Sequence, residues 1–395
     1  MTVINERDYF QFVPSNPWIG VGWRKRKDIT FPLQPYLAKK KINFIASRCD
    51  KIDAEHNTLA LANGETVDYD YLVIVTGPKL HFDEVEGSGP DGGHTHSVCT
   101  VDHAEKFKTD YDKILEKGSG KIVIGAMPFA SCFGPAYEFA MILETDLRKR
   151  KLRDKVHLEF VTSEPYIGHL GLGGVGDSKG LLESAMRNAH IPWIVNAKTT
   201  SVEANKMHVE EYSDHGDLVK THEVTFDAAM MLPSFFGVDV VKDVPELCNP
   251  RGFVIVDEHQ CSPKYKNIYS AGVCIAIPPV DKTPVPTGAP KTGYMIETMV
   301  TAAVHNIVHD IKGEDRTATG TWSTMCLADM GDTGAAFVAI PQIPPRNVSW
   351  FKQGKWVHLA KIAFEKYFIR KMKKGTSEPF YEKSILKMIG VKRLN

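Results

Sequence analysis

Cys132 stands at the mouth of a helix, in Ser131-Cys-Phe-Gly-Pro-Ala-Tyr-Glu138. A thiol there lies against the positive end of the helix dipole, which favours the nucleophilic thiolate. Glu138 follows inside the same helix. His103, in Cys99-Thr-Val-Asp-His103, and His169 are further side chains able to move protons. The bland alternatives are a surface glutamate and hydrogen-bonded structural histidines. The cysteines, at 49, 99, 132, 248, 261, 274 and 326, are odd in number and irregular in spacing. None forms a C-x-x-C, so neither a zinc centre nor a thioredoxin-like pair is expected, and no metal is assigned. Free cysteine is most often plain core packing. Cys49, Cys248, Cys261 and Cys274 are read that way.

The elements that must position these groups are those of an α/β chain. The apolar run Ile122 to Ile124 ends in Gly125, and a helix runs from Pro135 to about Arg150. Strand, loop and helix in that order open a dinucleotide-binding unit, with phosphate on the helix N-terminus. Here the second glycine of G-x-G is replaced, in Gly125-Ala126-Met127, and Pro128 and Phe129 add bulk. A nucleotide site has been converted into a thiol site. Glu164, at the position of a ribose ligand, is discounted for the same reason. Further strands are expected at Thr2 to Ile4, Ile42 to Ala46, Tyr71 to Thr76, Val156 to Thr162, Ala228 to Leu232, Gly252 to Asp257 and Asn267 to Ser270. Asn63-Gly64 marks a hairpin. Helices are expected at 176–189 and from Thr292 to about Lys312, the latter after a proline-rich loop. Lys291 and the helix start at Thr292-Gly293 offer positive charge to an anion.

A chain of 395 residues needs two or three domains. Its charge is balanced, which gives nucleic acid no general attraction. It shows no signal peptide and no apolar run long enough to span a bilayer. Residues 352–395 differ from the rest: twelve Lys/Arg against three acids give +9, leaving −9 elsewhere. Trp356, Leu359, Ala360, Ala363, Phe364, Tyr367 and Phe368 recur at mainly three- and four-residue spacing, interrupted by Lys361, Lys366, Arg370 and Lys373. This is a basic amphipathic surface suited to a membrane interface. The alternative is a packed helix with its lysines in water.

Seven stretches together closely resemble bacterial sulfide:quinone oxidoreductases: Val73-Ile-Val-Thr-Gly77, the Gly125 unit, Ile268-Tyr-Ser-Ala-Gly272, Cys99 to His103, Ser131 to Glu138, Pro286 to Gly293 and Met325 to Asp332. The resemblance implies two Rossmann-like domains of the FAD/NAD(P)-binding type plus a C-terminal amphipathic membrane-interface segment. The expected division is 1–95 and 229–312 for FAD, 96–228 for the degenerate second domain, and 313–395 for a redox-cysteine, quinone and membrane region. It implies FAD held by Asn5, Thr76, Gly77, Gly272, Lys291, Thr292 and Gly293. Cys132 and Cys326 would be the redox pair, with Cys326 nearer the flavin and Cys99 accessory. Glu138, His103 and His169 would lie on the sulfur side, and Phe364 and Tyr381 would plate a quinone. Sulfide, quinone, the cytoplasmic membrane surface and a homo-oligomer are the implied partners. The family carries a strand and G-x-G-x-x-G about 30 residues before the position of Met1. On that reading the chain as written holds FAD weakly. Asn5 replaces a frequent ribose-binding carboxylate, and Val273 a frequent aspartate. The rival readings are an NAD(P)H:quinone oxidoreductase on the same fold, a flavin-free non-catalytic relative, and a sulfide dehydrogenase that passes electrons to a haem protein.

Overall fold

A computed structural model describes residues 1–376. Tyr381 lies outside the described residues. The frame around the thiols is a parallel sheet in the order Trp193–Ile194, Val156–Thr162, Gly120–Ala126, Ala228–Leu232. Its strands are apolar on both faces because both faces are covered, the signature of a parallel sheet. Ile122 and Ile124 face one core and Val123 the other. Helices Val101–Lys117 and Gly134–Lys149 pack on the first face. The second face is closed by an antiparallel sheet, Ala197–Glu203, Lys206–Tyr212 and Leu218–Thr225.

A second core holds two parallel pairs, Thr2–Asn5 with Asn43–Ala46 and Leu72–Ile74 with Ile268–Ser270. Beside them lies the meander Cys49–Asp53, Thr58–Leu61, Thr66–Asp68, whose last turn contains Asn63-Gly64. Helix Gly293–Lys312 contributes Met295 and Met299 to this core. A third sheet, Thr324–Asp329, Gly334–Ile340 and Val348–Gln353, is antiparallel and leads into helix Lys355–Lys374.

Two expectations change. The strand expected at Gly252 to Asp257 forms only isolated bridges, Val254 pairing with both Cys248 and Ile275. Gly237 and Gly252 explain the interruption: a Cβ on Gly237 would fall 1.6 Å from the Gly252 carbonyl oxygen. The first strand of the thiol unit also runs past Gly125 to Ala126. Gly125 is required by a close crossing rather than by a turn, since a Cβ there would lie 1.7 Å from the Val161 carbonyl oxygen.

Candidate active site

Three cysteines distant in sequence come together. Cys132 directly precedes helix Gly134–Lys149, Cys326 lies on strand Thr324–Asp329, and Cys99 precedes helix Val101–Lys117. Cys99 and Cys326 pack against the same core. Burial pushes the Cys132 thiol up to about 12, and the neighbouring Cys326, Cys99 and Glu138 push the same way. Cys326 is raised to about 11 by burial, which Lys361 opposes and Glu138 reinforces. Cys99 is raised to about 11 by burial, opposed by Ser97. This corrects the expectation of a thiolate stabilised by the helix dipole. Desolvation outweighs the Gly134 backbone N–H, and the free thiols are held protonated.

Glu138, 5% exposed, faces a lysine that the sequence placed on the outer surface. Lys361 is 2% exposed, and its ammonium pairs with Glu138 Oε1. Burial still raises the Glu138 carboxyl to about 7, against the pull of Lys361. The Asp329 backbone N–H bonds the same carboxylate. The Asp329 side chain is wholly buried and saturated: Oδ2 accepts from Trp18 Nε1 at 2.7 Å, and Oδ1 from His358 Nδ1 at 2.7 Å and the Gly331 N–H at 3.1 Å. Lys361 also lies 5.5 Å from the Trp18 ring. Sequence reasoning missed Lys361, Asp329, His358 and Trp18. The available signal was spacing, since Lys361 shares a helix face with Val357 and Glu365, both buried.

The two histidines are engaged. His103 Nδ1 meets Ser97 Oγ at 2.9 Å, and that hydroxyl also accepts the Cys99 N–H at 3.2 Å. Burial lowers His103 to about 4, so it is neutral near pH 7. His169 is fully buried, with Nδ1 accepting from the Gly171 N–H and Nε2 within 3.0 Å of Asp281. It ties one loop to another and has no ring nitrogen to spare.

The nucleotide position of the second domain is filled from within. Glu164 is fully buried, accepting from Tyr137 Oη at 2.7 Å, Thr162 Oγ1 at 2.9 Å and the Leu170 N–H at 2.7 Å. The Phe129 N–H donates to the Pro286 carbonyl, and Gly288 sits so close that its Cβ would meet Ser131 Oγ at 2.4 Å. The loop before the helix is thus crowded where a pyrophosphate would approach, while the space beside Gly134 at the helix start stays open.

The residues expected to hold FAD fit a planar anionic ring system. Helix Gly293–Lys312 starts at Thr292, whose Oγ1 is buried without a partner. Lys291 lies 4.3 Å from the Phe253 ring, its ammonium lowered to about 8 by burial and supported by the nearby Cys274. Gly77 (φ 72°) and Gly272 (φ 91°) leave the space beside their backbone open, with no atom within 4 Å of a Cβ on Gly77. Thr76 is exposed beside Gly77, and Asn5 is exposed at its strand end, bonding the Arg7 carbonyl.

Helix Lys355–Lys374 has two unlike faces. Lys361 and Lys371 point inward, the latter pairing with Glu297 at 2.7 Å. Trp356 (51% exposed), Leu359 (65%) and Phe364 (38%) point outward, followed by Lys366, Arg370 and Lys373. Phe364 leans on Phe12 and Phe368, at 5.8 and 5.5 Å between ring centres. Among the described residues no helix is long and apolar enough to cross a membrane.

Residues 2–303 match the pyridine nucleotide-disulphide oxidoreductase family. The chain is 43% identical over 390 residues to the sulfide-quinone reductase of Aquifex aeolicus, covering 98% of this chain and 88% of that protein. It is 25% identical over 312 residues to a mitochondrial sulfide:quinone oxidoreductase of Dictyostelium discoideum, covering 77% and 63%. The X-ray structure of the Aquifex aeolicus sulfide:quinone oxidoreductase superposes with a TM-score of 0.93, again over 98% and 88% of the two chains. NDH2 of Plasmodium falciparum in complex with NADH, 14% identical, shares the fold at a TM-score of 0.67. The chain belongs to the sulfide:quinone oxidoreductase family of FAD-dependent pyridine nucleotide-disulphide oxidoreductases.

Proposed function

We propose that this chain oxidises sulfide at Cys132 and Cys326 and delivers the electrons to a membrane quinone taken up beside helix Lys355–Lys374. The reaction is HS⁻ + quinone + H⁺ → S⁰ + quinol. The observation that carries the site assignment is the convergence of Cys132 and Cys326 on the buried Glu138, with Cys99 beside Cys132. FAD, when bound, would supply the two-electron acceptor. Lys291 and the Thr292 helix start would hold its pyrimidine edge, and Gly77 and Gly272 give its rings room.

HS⁻ is a nucleophile, so the protein must offer an electrophilic sulfur. In a Cys132–Cys326 disulfide, attack breaks that S–S bond, forms a persulfide on one cysteine and releases the other as thiolate. Glu138, with a pKa raised to about 7, is poised to take the sulfide proton. The Lys361 ammonium favours the anionic sulfur at Cys326. Cys99 is an accessory thiol for chain growth or release. Neutral His103 orients Cys99 through Ser97. His169 fixes the loop against Asp281 rather than exchanging protons.

By the family resemblance Phe364 would plate the quinone, and so would Tyr381, which lies outside the described residues. The exposed Trp356 and Leu359 enter the membrane interface, and Lys366, Arg370 and Lys373 lie against anionic headgroups. That supports a peripheral protein of the cytoplasmic membrane, with homo-oligomers compatible with this attachment. The buried, fully bonded Glu164 argues against NADH as donor.

The test is stopped-flow absorbance on flavin-loaded protein. Sulfide should bleach the flavin and a short-chain quinone restore it, and NADH should do neither. Rapid bleaching by NADH would overturn the reading.

A further inference from the structure

An open groove of about 670 Å³ runs along one side of helix Lys355–Lys374. Ile362 and Ile369 form its floor, half-buried and each leaning on a different core. Lys366, Arg370, Lys373 and Lys374 form one rim, all exposed. Arg24 and Asp28, from the segment around the short helix Arg26–Ile29, supply the other wall. The size is ordinary for a small-ligand site. We propose that the groove holds one anionic phospholipid, its phosphate among the rim cations and an acyl chain along the two isoleucines. The inference deepens the membrane attachment proposed above and rests on it.

Charge selects the class of ligand. Arg24, Lys366, Arg370, Lys373 and Lys374 face two carboxylates, Asp28 and Glu365, so the lining is net +3. Both carboxylates are engaged elsewhere. Glu365 is buried and binds Arg24 Nε at 3.0 Å and Ser15 Oγ at 2.6 Å. Asp28 accepts the Lys25 N–H at 2.8 Å at the start of its own helix. Among the described residues Lys366, Arg370 and Lys374 have no carboxylate partner, and Lys373 has only the Phe31 ring, at 5.1 Å. A phosphate accepts from several such donors at once. A neutral quinone would leave them unanswered.

The floor separates a lipid from a soluble phosphate. A free anion gains nothing from Ile362 and Ile369, whereas each acyl CH₂ buried there strengthens binding about fourfold. The groove also lies on the side that meets a bilayer. Leu359, Lys366, Arg370 and Lys373 follow one another at seven, four and three residues, which is one stripe of a helix. Leu359 is 65% exposed and stands one turn before Ile362, extending the apolar floor outward.

The test is native mass spectrometry on full-length, flavin-loaded protein stripped of lipid in detergent. Phosphatidylglycerol should add one molecule per chain, and phosphatidylcholine at the same concentration none. K366Q/R370Q should weaken phosphatidylglycerol binding roughly 25-fold, about fivefold for each charge removed. K352Q/K355Q removes the same charge from exposed positions outside the groove and should leave binding unchanged. Glycerol 3-phosphate, which has the phosphate without the chains, should not compete at the lipid's own concentration. Equal losses in the two double variants, or several lipids bound without preference, would overturn the site in favour of diffuse attraction. Competition by glycerol 3-phosphate would overturn it in favour of free phosphate, and a dimer that K366Q/R370Q splits in favour of a second copy. Sedimentation with phosphatidylglycerol vesicles separates this from the reading beneath it. A parent that never sediments strikes the membrane attachment itself, whereas one that sediments without retaining a lipid strikes the groove alone.

Discussion

Replacing Lys361 by Met removes the cation from a buried pair and leaves Glu138 facing the core alone. Breaking a buried ion pair on one side costs about 3–5 kcal/mol, because the remaining charge has lost its compensation. Lys361 and Glu138 are 2% and 5% exposed, so solvent cannot take over the missing role. At about 2–4 °C per kcal/mol, the melting temperature should fall by roughly 6–20 °C. The loss carries a pH signature. Lys361 pulls the Glu138 carboxyl down, so its removal moves that carboxyl further above its present value of about 7. A carboxyl whose pKa is higher folded than unfolded costs little at low pH, where both states are protonated. Stability is lost as pH rises from the unfolded value through the folded one. K361M should therefore sit closest to the parent near pH 5 and furthest from it near pH 8. K361M/E138Q should recover much of the loss, since a buried pair replaced on both sides is often neutral. The assay is thermal denaturation of the three variants and the parent at pH 5, 6, 7 and 8. A K361M melting temperature within about 1 °C of the parent, flat across pH, would refute the buried pair.

The remaining expectations are shorter. C132S and C326S should each abolish sulfide-dependent quinone reduction, and C99S should leave part of it; full activity in C326S would remove the cysteine pair from the reaction. In the reduced protein, alkylation of Cys132 and Cys326 by iodoacetamide should be slow at pH 8 and climb steeply toward pH 11, because burial raises both thiols; mass spectrometry that finds them labelled as fast as an exposed thiol at pH 8 contradicts this. Reversing the outward charges in K366E/R370E/K373E should release the protein from anionic vesicles while sulfide still bleaches the flavin. Cutting the chain before Lys352 is a poorer test, since it also removes the buried Val357 and Lys361. Attachment of the parent protein should weaken with salt without vanishing, and a parent that never sediments with vesicles contradicts the interface.

The parallel strands were legible because short, continuous apolar runs bounded by glycine can only be buried on two faces. The cysteine residues were legible through their neighbouring motifs, but their protonation was not. A helix start is visible in sequence, whereas the desolvation that overrides it comes from residues hundreds of positions away. Lys361 was misassigned for a related reason. Counting lysines along an amphipathic helix assumes that charge faces water, and it cannot anticipate a buried carboxylate at residue 138 waiting for one. The expected strand at Gly252 failed because alternation of side chains says nothing about how closely another backbone must pass. The filled nucleotide pocket was half legible: the missing second glycine marked the loop, but the inward turn of Glu164 was fixed by Tyr137, Thr162 and Leu170.

The partner of Glu138 lies 223 residues further along the chain. During synthesis at about 5–20 residues per second, the glutamate emerges roughly 10–45 s before the lysine that neutralises it. Throughout that interval the first-made core has a reason to stay open at this point, because closing it would strand a carboxylate. The thiols share the delay, since Cys326 also emerges long after Cys132. The last described helix thus acts as a late-arriving keystone. The sulfur chemistry proposed here would become available only when helix Lys355–Lys374 has been made and seated.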